Sequence, residues 1–269
     1  MRVAAVQFNV QDDKERNVRR AFALASQAAS SAEFVVLPEY FVYLGPEEGK
    51  VAASEPVPGP TIARFADLAR DKGVYILCGS IPERSPHPGR VYNTSVLLSP
   101  KGEIVARYRK IHLFDVDLGP ELVYRESEYV VPGDQPVVAD TDFGRVGLSI
   151  CYDLRFSELY RRLTEDGAVL ITVPAAFTAE TGKDHWEVLL RARAIENQVY
   201  VVAAATMGSY PPDRRTHGRS LVVDPWGLVL AQAPDAEGVI YAEVNLEHLS
   251  RIRQRIPALR HRKPHLFNR

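Results

Sequence analysis

The chain has 269 residues, 46% hydrophobic and 25% charged, which is enough apolar material for a large core in one or two domains. Its net charge of −1 offers no field that would favour nucleic acid or an anionic membrane surface. The longest apolar run, residues 168–177, is too short to span a bilayer, and no basic stretch followed by an apolar run and a cleavage site opens the chain as a secretory signal would.

Strand-like and helix-like runs alternate from the first residue. Residues 2–8 read as a strand, 14–31 as an amphipathic helix, and 34–37 as a short strand ending at Pro38-Glu39. A helix follows over 61–72 behind a Pro/Gly-rich entry, then a strand over 74–81. Runs 94–99 and 104–108 flank Pro100-Lys101-Gly102 as a hairpin. Residues 112–133 form an irregular, charge-rich segment, and a loop of this length inside a compact domain is usually functional. The order then repeats: strand 145–151, helix 155–167, strand 168–173, helix 183–197, strand 199–205, and a hairpin of 220–223 with 228–231. A strand over 238–244, a short helix over 246–254 and a basic tail close the chain.

The two halves overlay. RVAAVQF lies over RVGLSIC, FVVLPEYF over VLITVPAAF, VYILCGS over VYVVAAAT, and NTSVLLSPKGEIVARY over GRSLVVDPWGLVLAQA. Apolar runs without clean alternation suit strands covered on both faces. The duplication therefore predicts an α/β fold in four layers, an α-β-β-α sandwich with internal pseudo-twofold symmetry, and a single domain over residues 1–269.

Three polar residues stand where apolar strands stop: Glu39, Lys110 and Cys151. Cys151 ends a strand just before a helix for which Asp153 reads as the N-cap. Free backbone N–H groups and the positive helix end are expected there to lower the thiol pKa and favour the thiolate. A cysteine attacking a carbonyl or nitrile carbon needs a general base, a task for a buried carboxylate such as Glu39. The developing oxyanion needs preorganised donors, which Lys110 and the backbone N–H of Tyr152 would supply. Each residue alone also has an ordinary reading as surface charge or core packing; their shared place at strand ends argues for one site. Arg155 suits either a substrate carboxylate or an ion pair with Asp153 or Glu158. Phe177 and Thr178 are placed to line the pocket, and Tyr43, after Glu39, is a wall residue or core. With only Cys78 and Cys151 present there is no disulfide framework, and the expected compartment is the cytosol.

Competing motifs fail. Gly147–Cys151 lacks the last glycine of a serine-hydrolase elbow, and Gly45–Lys50 has the wrong spacing for a phosphate-binding loop. His261 and His265 are four residues apart, but Pro264 and their tail position argue against a metal pair. No metal and no cofactor is expected.

The segments LPEYF, YRKIHLFD and GLSICYDLRFSE together resemble the three signature blocks of the nitrilase superfamily of carbon–nitrogen hydrolases, and the resemblance runs over essentially the whole chain. The later segments, down to HRKPHLF, are similar to its Nit branch of omega-amidases and deaminated-glutathione amidases. The resemblance implies a Glu–Lys–Cys triad at Glu39, Lys110 and Cys151, and a second glutamate, Glu126, that positions substrate or water. It also implies a homodimer or higher homo-oligomer built through the helix after Cys151 and the helix over 183–197. Ser157 and Arg219 depart from the family's usual proline and histidine, which bears on substrate choice. The expected activity is hydrolysis of a small carboxylate-bearing amide, a 2-oxo acid omega-amide or deaminated glutathione. The alternatives are an N-carbamoyl amino acid or nitrile hydrolase on the same scaffold, and a catalytically silent interaction scaffold.

Overall fold

Successive residues of a strand face opposite ways, and that alternation sorts the first half of the chain into two packed faces. In the computed structural model, which describes residues 1–119 and 122–266, Val3, Ala5, Phe34, Val36, Leu77 and Leu97 point into a core shared with Val146, Leu148, Leu170 and Ile171 of the second half. Their neighbours Ala4, Val6, Val35, Ile76, Val96 and Leu98 point the other way, onto Ala21, Leu24, Ala25, Ile62, Phe65 and Leu68 of two helices. Pro120 of the long loop and Phe267 of the C-terminal segment lie outside the described residues.

The first sheet runs in the order Gly238–Glu243, Arg2–Gln7, Phe34–Val36, Tyr75–Arg84, Val91–Leu98, Ile104–Arg109. Its second, third and fourth strands are parallel, with antiparallel partners on both sides. The second sheet repeats the plan: Val137–Thr141, Gly144–Leu148, Ala168–Ala175, Tyr200–Ala205, Leu221–Val223, Val229–Gln232. Again three parallel strands are flanked by antiparallel ones. Helices Lys14–Ala29 and Pro60–Lys72 cover the first sheet; Ser157–Glu165 and Ala179–Asn197 cover the second through Leu159, Tyr160, Leu163, Trp186, Leu190 and Ala194. The four-layer sandwich and its duplication are as the sequence predicts.

Local departures have local causes. The strand expected over 145–151 stops at Leu148, and Cys151–Arg155 forms a short 3-10 helix before the α-helix starts at Ser157. Asp153 is not the N-cap of that α-helix: its carboxylate turns back to accept the Ile150 N–H at 2.9 Å. The segment 112–133 contains a ribbon, Asp115–Asp117 with Val123–Arg125, and one helical turn, Glu126–Tyr129. Helix Glu47–Ala53, strand Val137–Thr141 and the ribbon of Met207–Tyr210 with Arg214–His217 were also not anticipated. The last of these packs so tightly that a Cβ on Gly182 would lie 2.4 Å from the His217 side chain. Among the described residues no helix is long and apolar enough to cross a membrane.

Candidate active site

Four predicted residues meet in one cleft between the sheets: Glu39, Lys110, Glu126 and Cys151. Glu39 follows the strand Phe34–Val36, Lys110 follows Ile104–Arg109, and Glu126 opens the helical turn after the ribbon. All four are buried. Tyr40, the residue after Glu39, and Cys151 itself have φ of 50° and 46°. Non-glycine residues rarely adopt this conformation, and such strain clusters at functional sites.

Lys110 holds the carboxylates together. Its Nζ donates to Glu39 Oε1 at 3.0 Å and to Glu126 Oε2 at 2.9 Å. Glu39 is pinned further by Asn93 Nδ2 on Oε1 at 2.9 Å and by the Ala176 N–H on Oε2 at 2.8 Å. Glu126 accepts from the Tyr40 hydroxyl at 3.0 Å and the Phe114 N–H at 2.7 Å. Burial alone would depress Lys110, but Glu126, Glu39 and the nearby Cys151 outweigh it and hold the ammonium well above its ordinary pKa. Burial would likewise raise Glu126, yet Lys110 and then Lys50 keep it below the ordinary carboxylate range. The cluster is a fixed array of charges with little freedom to rearrange.

The thiol departs from expectation. Burial, followed by the Glu39 carboxylate, pushes Cys151 well above its ordinary pKa, and Lys110 offsets only part of this. The helical end that was to lower it is a 3-10 segment of five residues, too short to build a large dipole. Burial and Glu39 both favour the protonated thiol of Cys151 over its thiolate. The following N–H, that of Tyr152, lies in the first turn of this segment, where backbone donors lack intrahelical acceptors.

The residues expected around the four divide. Tyr152, Phe177 and Thr178 line the cleft. Tyr43 does not: its hydroxyl donates to the Pro46 carbonyl at 3.1 Å, and its ring sits against Gly49, where a Cβ would lie 1.8 Å from the hydroxyl. Arg155 pairs with neither Asp153 nor Glu158. Its Nη1 is 3.2 Å from His185 Nδ1, and its guanidinium lies 5.1 Å from the ring of the cleft-lining Phe177, but Arg155 does not itself line the cleft. Ser157 is exposed at a helix start, and Arg219 pairs with Asp235 at 2.7 Å; neither lines the cleft, so their departure from the family pattern does not reach it.

The sequence model of the family described as "Carbon-nitrogen hydrolase" matches residues 2–254. The chain belongs to this family. A deaminated glutathione amidase of Synechocystis is 44% identical over 263 residues, 96% of this chain and 97% of that protein. The human omega-amidase NIT2 is 39% identical over 267 residues, 99% of this chain and 96% of that one. Among solved structures, the C. elegans NitFhit protein superposes with a TM-score of 0.93 at 36% identity; the match covers 99% of this chain and 66% of that longer one.

Sequence reasoning missed several residues of this carbon–nitrogen hydrolase. Asn93 interrupts the apolar strand Val91–Leu98, which was the available signal for it. Tyr40 is marked only by its neighbour Glu39. Asp153 is fully buried and accepts from four donors: the Tyr108 hydroxyl, the Ile150 N–H, and the N–H and Nδ1 of His112. Lys50, seen in the sequence only as part of a failed phosphate loop, lines the cleft paired with Glu47 at 2.6 Å, its ammonium 4.3 Å from the Tyr40 ring centre.

Proposed function

We propose that this carbon–nitrogen hydrolase is a cysteine amidase acting on a small amide that carries a carboxylate, with Glu39, Lys110 and Cys151 as its catalytic triad. The observation that carries the reading is the buried Lys110 ammonium bridging the Glu39 and Glu126 carboxylates in the cleft that Cys151 also lines. A buried ion cluster is costly to keep, and this one borders an open cleft. Glu39 takes the thiol proton as sulfur attacks the amide carbon. Lys110 and the Tyr152 N–H stabilise the oxyanion. Glu39 then returns the proton to nitrogen, the C–N bond breaks, and ammonia or an amine leaves. Water, deprotonated by Glu39, attacks the thioester and releases the acid and the thiol. Glu126 holds Lys110 in place through both of its oxygens. Phe177 and Thr178 border the substrate. An intact triad speaks against a silent scaffold.

The named relatives make a 2-oxo acid omega-amide and deaminated glutathione the first substrates to test. Purified protein is expected to release ammonia from 2-oxoglutaramate or an amine from deaminated glutathione, and the substrate should protect Cys151 from an alkylating electrophile. Turnover confined to a nitrile or an N-carbamoyl amino acid would replace the amidase reading; no turnover of any of them would remove it.

The same reading includes one domain over residues 1–269, a cytosolic setting for its two free thiols, and a homodimer. Support for the dimer comes from helix Ala179–Asn197 and the neighbouring hairpin. There Val188, Ile195, Trp226 and Leu228 are all at least half exposed; Ile195 packs against Gly227 of the hairpin, and Arg191 Nε bonds the Gly227 carbonyl at 2.9 Å. Contiguous exposed apolar side chains of this kind mark association surfaces. Sedimentation at micromolar concentration is expected to give a dimer, and Leu228→Lys to weaken it at least about tenfold, since a charge would enter an apolar contact. A monomeric parent protein would refute the assignment.

A further inference from the structure

Three cations besides Lys110 stand in or at the cleft, and they are differently engaged. Lys50 is neutralised by Glu47. Arg155 does not line the cleft and lies against His185. Arg125 lines the cleft itself, on the ribbon that covers it. Its Nη1 is steadied by two backbone carbonyls, Tyr124 at 2.9 Å and Val116 at 3.2 Å. Those bonds fix the guanidinium and leave its charge uncompensated. Asp115 sits opposite Arg125 in the ribbon, but its carboxylate accepts the Ser127 N–H instead. Among the described residues, no carboxylate lies within salt-bridge distance of Arg125.

Beside it, Tyr124 supplies an aromatic wall. This residue is buried, lines the cleft, and is held between Phe114, 5.0 Å away, and the Arg214 guanidinium, 4.0 Å from its ring centre. Its hydroxyl is shut off from solvent and lies against the Tyr210 hydroxyl and the Arg214 side chain.

We infer that the Arg125 guanidinium, in the cleft that Glu39, Lys110 and Cys151 also line, is the subsite that receives the substrate's carboxylate. The inference rests on the amidase reading and gives its carboxylate a place. A guanidinium already fixed by two carbonyls loses little freedom on binding a carboxylate. It also lies on the segment 112–133, the expected functional loop, where the sequence offered only Glu126.

The test compares two amides of equal length, 2-oxoglutaramate and its neutral counterpart 4-oxopentanamide, as a ratio of kcat/KM. The parent enzyme is expected to favour the acid. Arg125→Ala should lower that ratio by at least about tenfold, the worth of a charge-assisted hydrogen bond, chiefly through KM. Arg125→Lys should recover part of it. Equal losses on both amides would mean that Arg125 only braces the ribbon, and an undiminished ratio, or one that collapses in Arg155→Ala instead, would overturn the assignment. A parent enzyme without preference would refute the carboxylate reading itself, and one that cleaves neither amide the amidase reading; both are distinct from a failure at Arg125.

Discussion

Cys151→Ala is expected to reduce ammonia release by at least about ten-thousand-fold, with far-UV circular dichroism and Tm close to the parent's. The loss is large because no other group among the cleft residues can form the thioester: the second cysteine, Cys78, is fully buried in the layer between the first sheet and its helices, away from the cleft. The fold should survive because the change removes a single sulfur atom, and alanine meets the same backbone strain at φ 46° as cysteine does. Cys151→Ser should be nearly as inert. The site already raises the nucleophile's pKa through burial and Glu39, and a hydroxyl begins far less acidic than a thiol. Glu39→Gln should cost at least about a hundredfold, because the thiol proton then has no acceptor. Ammonia release retained in Cys151→Ala would sink the nucleophile assignment.

The two packed sheets and the duplicated plan were legible because the apolar runs and turn residues repeat between halves, and repetition survives errors at individual boundaries. Glu39, Lys110 and Cys151 were legible for a related reason: each is a polar residue at the end of an apolar run. The less visible part of the site depends on long-range approach. Asn93 reaches Glu39 only because the strand Val91–Leu98 lies beside the strand that leads to Lys110. Lys50 and Glu47 belong to a helix of seven residues whose sequence carries no capping signal. Arg125 looked like any charged loop residue until the ribbon brought it over the cleft. The thiol's pKa was misjudged because local sequence shows the helix start but not the burial or the carboxylate packed against it.

Asp153→Ala is expected to cost roughly 3–5 kcal/mol of stability, since several buried donors lose their acceptor at once. Asp153 is fully buried, and its Oδ2 receives the Tyr108 hydroxyl at 2.7 Å and the Ile150 N–H at 2.9 Å. Its Oδ1 receives the His112 N–H at 3.1 Å and lies 2.8 Å from His112 Nδ1. The His112 ring stacks on Phe156 with centroids 3.7 Å apart. One carboxylate thus ties the strand that carries Lys110, the segment leading to Glu126 and the turn that carries Cys151. Alanine would strand Tyr108 and Ile150 without water within reach, and a denaturation series should record a lower midpoint at an unchanged slope. Asp153→Asn should lose less, because its amide oxygen can keep the Tyr108 and Ile150 donors while its NH2 donates to a neutral His112 Nδ1. The His112 N–H then lacks an acceptor, so Lys110 and Cys151 should be held less exactly, and kcat should fall while KM changes little. An unchanged midpoint in Asp153→Ala would mean that the turn is fixed by packing of Leu154 and Tyr160 rather than by this carboxylate.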